Sequence, residues 1–391
     1  MSPTPGTEDR LLEWRREFPT AESTLHFISH SLGAMPRGVE AALALYAQQW
    51  KTRGIRAWED GWFALPTEVG NLLGGILNAE SDTISMTENV TLAQAVALSA
   101  VEFAPTRNRL VCTAEDFPSV LYLYEGLARR GVEVVRVPAR AGRTVEAADV
   151  IRAIDERTAI VAVSHVMFRT AQILDVAAIA RRARAAGALT LIDAYQSVGT
   201  LPVDVRALDV DFLTGGSVKW LCGGPGAGYL YAAPRVRHLE PALTGWMAHE
   251  NPFAFDSAPI RRHDGARRFW TGTPAIPAFA AARCGYEVVA AIGAEAIREK
   301  SLRQTARMIA LADEYGLPVG SPREPGRRGG TVCLDVPGAD AVCHALLATD
   351  VLLDYRPGVG LRLAPHFYTR DDEVDEVMRR VRDESRRAAA V

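Results

Sequence analysis

Cysteine is scarce in this 391-residue chain and gives no framework. The five cysteines, Cys112, Cys222, Cys284, Cys333 and Cys343, are odd in number and widely spaced. No CxxC pair or Cys/His cluster is present, which argues against a disulfide scaffold and a zinc site; no metal ligand set is expected. A basic excess is missing too, since the formal net charge is −3, and nucleic acid is not an expected partner. No uncharged apolar run reaches the roughly 18 residues of a membrane span. The opening stretch "MSPTPGTEDRLLEWRREFP" has charge where a signal core would be apolar, so a cytoplasmic protein is expected. Neither GxGxxG nor a GK[ST] loop occurs, which removes the common dinucleotide and nucleoside triphosphate fingerprints.

What is there is an alternation. "RLVCTA" (109–114), "EVVRVPA" (133–139), "AIVAVSHV" (159–166), "LTLIDA" (189–194), "VDFLTGG" (210–216) and "GAGYLYAA" (226–233) read as strands. Helical stretches lie between several of them, among them the amphipathic "AAIARRARAAGA" (177–188). Continuous apolar strands separated by helices predict a parallel sheet covered on both faces. Beyond about residue 260 the pattern changes to long helices and a few short strands, the mark of a smaller α+β unit.

Ligands of open parallel sheets bind beyond the carboxyl ends of the strands. At those places stand Asp193, Lys219, the serine of "SHVMFRT" and the ring of "AEDFPS". An amine, a carboxylate, a hydroxyl and an aromatic ring together suit pyridoxal phosphate. That cofactor takes a lysine amine as an imine, pairs its ring nitrogen with a carboxylate, and can rest its phosphate on a helix N-terminus. Each feature has an ordinary reading as well. A strand-end Asp often closes a loop, a Lys is usually solvated, and "GGPGAG" can be a plain turn between strands.

Many ordered stretches carry a resemblance. They are "HFISHSLGAMP" (26–36), "GIRAWEDGWFALPTEVGNLLG" (54–74), "DFPS" (116–119), "SHVMFRTAQILDV" (164–176), "DAYQSVGTLPVDV" (193–205) and "DFLTGGSVKWLCGGPGAGYLY" (211–231). "GWMAHENPFAFD" (245–256), "RRFWTGTPAI" (267–276) and "DYRPGVGLRLAPHFYT" (354–369) continue it. Together they resemble the class V aminotransferase-like pyridoxal phosphate enzymes of fold type I, and among them the kynureninases. The resemblance implies an α/β fold with a mostly parallel seven-stranded sheet and a smaller α+β domain. It divides the chain into an N-terminal segment (1–50) packing with the small domain, a large cofactor domain (51–260) and a small C-terminal domain (261–391).

By the same resemblance Lys219 is the lysine that holds the cofactor and moves protons, and Asp193 pairs with its ring nitrogen. Phe117 stacks on the ring, Gln196 approaches the phenolic oxygen, and Ser164 lies on the same face. The phosphate rests at "MTENVT" on Thr87, Glu88 and Asn89, with the Glu88 carboxylate turned away. Trp246 and Thr273 reach the phosphate of a neighbouring subunit, which implies a homodimer with shared sites. Arg362 clamps the substrate α-carboxylate, a task that suits a guanidinium fork. Ser31, His30 and Trp58 line the substrate pocket, and Trp58, Phe253 or Phe367 supply its apolar walls. The implied reaction is hydrolysis of the Cβ–Cγ bond of kynurenine, or a related γ-oxo amino acid, to alanine and an aromatic acid, a step of tryptophan catabolism. The alternatives are a tailoring lyase and a C–S lyase or cysteine desulfurase, the last of which needs a persulfide-forming thiol on a mobile loop. Three departures bear on the substrate: Val218 stands where kynureninases usually have Tyr, Gln196 where they have His, and Cys222 where Asn is common.

Overall fold

The computed structural model describes residues 9–390. Its strands are β1 (Leu25–His26), β2 (Ile84–Thr87), β3 (Arg109–Thr113), β4 (Glu133–Val137), β5 (Thr158–Ser164), β6 (Leu189–Asp193), β7 (Phe212–Gly216), β8 (Gly228–Ala232), β9 (Val332–Leu334), β10 (Val351–Leu352), β11 (Asp354–Arg356) and β12 (Gly360–Leu363). Seven of them form one sheet in the order β2-β8-β7-β6-β5-β3-β4. Only β8 runs against its neighbours β7 and β2; the other pairings are parallel. The expected mostly parallel seven-stranded α/β sheet is therefore present.

The strands formed where the apolar runs are, because both faces of the sheet are covered. Every residue of β5, β7 and β8 is buried. A helix such as Val176–Ala185 adds its apolar stripe, Val176, Ile179, Ala180 and Ala183, to the core, and Asp175 caps its start by accepting from the Ala178 amide. The four-residue edge strand β2 escaped the sequence reading, being too short for a periodic signal.

A second apolar cluster surrounds the sheet β11-β12-β9. It takes residues from the helices Ala294–Tyr315, Ala339–Leu347 and Asp371–Ala389. Phe27 enters this cluster, and β1 beside it pairs in parallel with β10. The long apolar segment after residue 275 is two helices, Ile276–Ile292 and Ala294–Tyr315, bent by 82° at Gly293. No single described helix is long and apolar enough to cross a membrane.

Candidate active site

Three neighbouring strands, β5, β6 and β7, end on one side of the sheet. Ser164 closes β5 and Asp193 closes β6, opposite each other in register. The turn after β3 is folded over them by Asp116. One carboxylate oxygen of this buried residue accepts from the Thr113 amide and the other from the Ser164 amide, each at 2.7 Å. That fastening presents Phe117 at the N-cap of the helix Pro118–Ala128, where Pro118 suits the first helical position.

Asp193 is buried, and one of its oxygens accepts from the Tyr195 amide at 2.9 Å. Burial raises its pKa to about 6, against the pull of that hydrogen bond and of the Lys219 charge. Lys219, half-buried in the loop after β7, is lowered to about 8, chiefly by desolvation and against the attraction of Asp193. Its Nζ lies 5.5 Å from the ring centre of Phe117 and 4.3 Å from that of Tyr195. The amine therefore lies close to two aromatic rings and shares the cavity with the Asp193 carboxylate, which attracts it.

These groups line a cavity of about 540 Å³ together with Asn89, Val90, Thr91, Ser119, Ser164, Val166, Phe168 and Gln196. Asn89 caps the helix Val90–Leu98, its Oδ1 accepting from the Leu92 amide at 2.9 Å. This helix start faces the cavity, as an anion site requires. The cavity thus offers an amine, a carboxylate, two aromatic faces and a helix N-terminus, and the donor set fits pyridoxal phosphate.

Of the expected residues, Lys219, Asp193, Gln196, Phe117, Ser164 and Asn89 meet in this cavity. The Gln196 amide is held from both sides: Nε2 donates to the His30 carbonyl and Oε1 accepts from Trp220 Nε1, each at 3.0 Å. One N–H of Nε2 is left for the cavity.

Several expected residues lie off this cavity. Thr87 and Glu88 do not line the cavity, and the Thr87 hydroxyl donates to the Glu88 carboxylate at 3.0 Å. The wall begins at Asn89 because the helix, not the end of β2, faces inward. Arg362 is not a cavity wall either. It is buried, its Nε and Nη2 donate to the two oxygens of Asp354, and Nη1 donates to the carbonyl of the wall residue Phe168 at 2.7 Å. Asp354 also takes His30 Nε2 at 3.0 Å. Burial pushes the Asp354 carboxyl up, but the bonds from His30 and Arg362 win and hold it well below the usual range. His30 is lowered to about 4 by burial and by the Arg362 charge, so it is neutral and donates through Nε2.

Ser31 and Trp58 also lie off this cavity; Trp58 stacks on Phe63 at 5.1 Å, beside Trp62. Phe367 belongs to the core, and Phe253 is 55% exposed. The aromatic walls are Phe117, Phe168 and Tyr195 instead. Trp246 and Thr273 are exposed and line no part of this cavity. Sequence reasoning missed Tyr195, Phe168, Asp116 and Asp354, although each stands inside or beside a motif already singled out.

The aminotransferase class-V family model matches residues 39–362. A kynureninase from Burkholderia mallei is 32% identical over 96% of this chain and 92% of its own. One from Bacillus cereus is 31% identical over 91% and 87%. Among solved structures, a cysteine desulfurase from Thermococcus onnurineus superposes with a TM-score of 0.85 at 21% identity, covering 97% of this chain and 99% of that one. A cystine C–S lyase gives 0.84 at 21% identity, over 94% and 99%. The two solved structures share the fold, while the kynureninases match in sequence over more than nine-tenths of this chain. The chain belongs to the kynureninase family of class V aminotransferase-like enzymes, and its cofactor is pyridoxal phosphate.

Proposed function

We propose that the enzyme is a kynureninase-like hydrolase, cleaving the Cβ–Cγ bond of kynurenine or a related γ-oxo amino acid to alanine and an aromatic acid. The observation that carries this reading is the meeting of Lys219, Asp193 and three aromatic walls in one cavity, on a chain similar to kynureninases over more than nine-tenths of its length. Bound pyridoxal phosphate supplies an electron sink for negative charge on the adjoining substrate carbon. Asp193, ionised at neutral pH with a pKa near 6, holds a proton on the cofactor's ring nitrogen. Lys219, near 8, exchanges protons at the substrate Cα. Phe168 gives the substrate's aryl group an apolar face and keeps water away from it, while Phe117 and Tyr195 adjoin the cofactor. Arg362, held in place by Asp354 and by the Phe168 carbonyl, orients the α-carboxylate, the substrate sharing the guanidinium with Asp354. Water adds to the γ-carbonyl, the Cβ–Cγ bond breaks, and the new carboxylic acid and alanine leave.

The thiols disfavour a desulfurase. Cys222 is 2% exposed and burial pushes its thiol up to about 12. Cys112, Cys333 and Cys343 are buried as well, and Cys284 lies half-buried on a helix.

The working unit is a homodimer. Trp246 is 45% exposed, Phe255 stacks on it at 5.8 Å, and Phe253 meets both edge-on, forming an apolar patch that suits a second copy. Trp246 and Thr273 complete the partner's phosphate site.

The test is direct. Incubation with kynurenine or 3-hydroxykynurenine should release alanine and the fluorescent anthranilate product, and Lys219→Ala should abolish both. Alanine release from another amino acid, with neither of these substrates turned over, would assign the enzyme to a tailoring reaction instead.

A further inference from the structure

We propose that the Tyr195 hydroxyl is a ligand of the cofactor's phosphate ester. Tyr195 stands two residues past Asp193 and lines the cavity. Its phenol reaches from the end of β6 over the end of β7. A Cβ on Gly216 would lie 2.4 Å from the hydroxyl oxygen and 2.5 Å from Cζ, so the absence of a side chain at Gly216 is what admits the ring. Gly216 is paired directly with Gly228 across β7 and β8. Directly opposed residues of an antiparallel pair present their side-chain positions on the same face, about 5 Å apart. On that face a Cβ on Gly228 would come within 2.8 Å of the Asn89 backbone. The row from Tyr195 therefore runs over Gly216 and Gly228 to Asn89, the N-cap of the helix Val90–Leu98.

At that helix start the Leu92 amide is taken by Asn89 Oδ1 and the Ala93 amide by the Asn89 carbonyl. The Val90 and Thr91 amides have no acceptor among the described residues, and both residues line the cavity. Nor does any described residue hydrogen-bond the Tyr195 hydroxyl. A phosphate monoester carries nearly two charges and wants several donors. Two amides at the helix start and one hydroxyl from the loop after β6, all on the wall of one cavity, meet that need. The phenol remains protonated at working pH, because burial and the nearby Asp193 raise it to about 12, so its O–H donates. The ring bearing it lies 4.3 Å from the Lys219 amine, and that of Phe117 lies 5.5 Å from it, so both aromatic faces adjoin the point where the cofactor is held.

The proposal rests on pyridoxal phosphate as the cofactor, and the experiment separates the two. Full-length wild-type protein and Tyr195→Phe are freed of cofactor by dialysis and titrated with pyridoxal phosphate and with pyridoxal, which lacks the phosphate. Binding is followed by quenching of protein fluorescence, and thermal unfolding checks that the variant is folded. Tyr195→Phe should weaken pyridoxal phosphate about tenfold or more, the effect of one hydrogen bond to a charged group, and leave pyridoxal unchanged. Equal weakening of both compounds, or unaltered affinity for pyridoxal phosphate, would overturn the proposal. Wild-type protein that binds neither compound would overturn the cofactor assignment on which it stands.

Discussion

Arg362 and Asp354 face each other across the antiparallel pair β11–β12, joined by two hydrogen bonds of 2.8 and 2.5 Å. The arginine expected to receive the substrate carboxylate is thus already paired with a carboxylate of the protein. Asp354→Asn keeps the shape and removes the charge. It should raise KM for the amino-acid substrate about tenfold while changing kcat less, because the guanidinium loses its two-point orientation. Asp354→Ala should cost about 3–5 kcal/mol in urea unfolding, since it leaves a buried guanidinium without its partner. An unchanged KM in Asp354→Asn would show that Asp354 does not orient Arg362 for substrate.

Cofactor capture needs an unprotonated amine, and Lys219 sits near 8 rather than at its ordinary 10.5. Its free-amine fraction rises from about one-tenth at pH 7 to about nine-tenths at pH 9. The rate at which stripped enzyme takes up pyridoxal phosphate should rise roughly tenfold over that interval. Asp193 attracts the ammonium and so holds this pKa up; Asp193→Asn should move the midpoint to lower pH. Stopped-flow absorbance of the bound cofactor measures both, and a flat profile from pH 7 to 9 would contradict the assignment of Lys219.

Asp116 satisfies two backbone amides from different strands. Asp116→Ala leaves both donors buried without an acceptor and should destabilise the fold by about 2–5 kcal/mol in chemical denaturation. Asp116→Asn retains one carbonyl oxygen and should lose less. Both variants free the turn that carries Phe117, so cofactor affinity should fall in the same order.

Phe255 is 74% exposed against Trp246. A charge placed there cannot be buried against a second copy without a large desolvation penalty. Phe255→Asp should convert a dimer to a monomer in sedimentation velocity at micromolar concentration. A monomeric wild-type protein would rule out the shared site.

Strands β5, β7 and β8 were legible because each is an apolar run between turn signals that the sheet buries on both faces, while the edge strand β4 kept only a partial apolar pattern. Lys219 and Asp193 were legible because chemistry in such a sheet collects at strand ends. Tyr195 was overlooked although it lies between Asp193 and Gln196. Where its phenol turns after the strand is decided by Gly216 on the neighbouring strand, whose missing side chain admits the ring. Of Thr87, Glu88 and Asn89, expected to hold the phosphate, only Asn89 lines the cavity, followed there by Val90 and Thr91, because the strand-to-helix junction has no periodic marker. The chemistry of Arg362 is legible in its side chain, but the acid that holds it is eight residues away in a hairpin whose register no local pattern states.

The sequence by itself determined the α/β architecture, the family and the identity of the amine and the acid, since burial period and strand-end position are local properties. Only the tertiary structure decided that Lys219 lies beside Phe117 and Tyr195, that Asp116 ties β3 to β5, and that Asp354 claims Arg362. Those relations join residues from separate strands, and they exist only after long-range packing has fixed strand order and register.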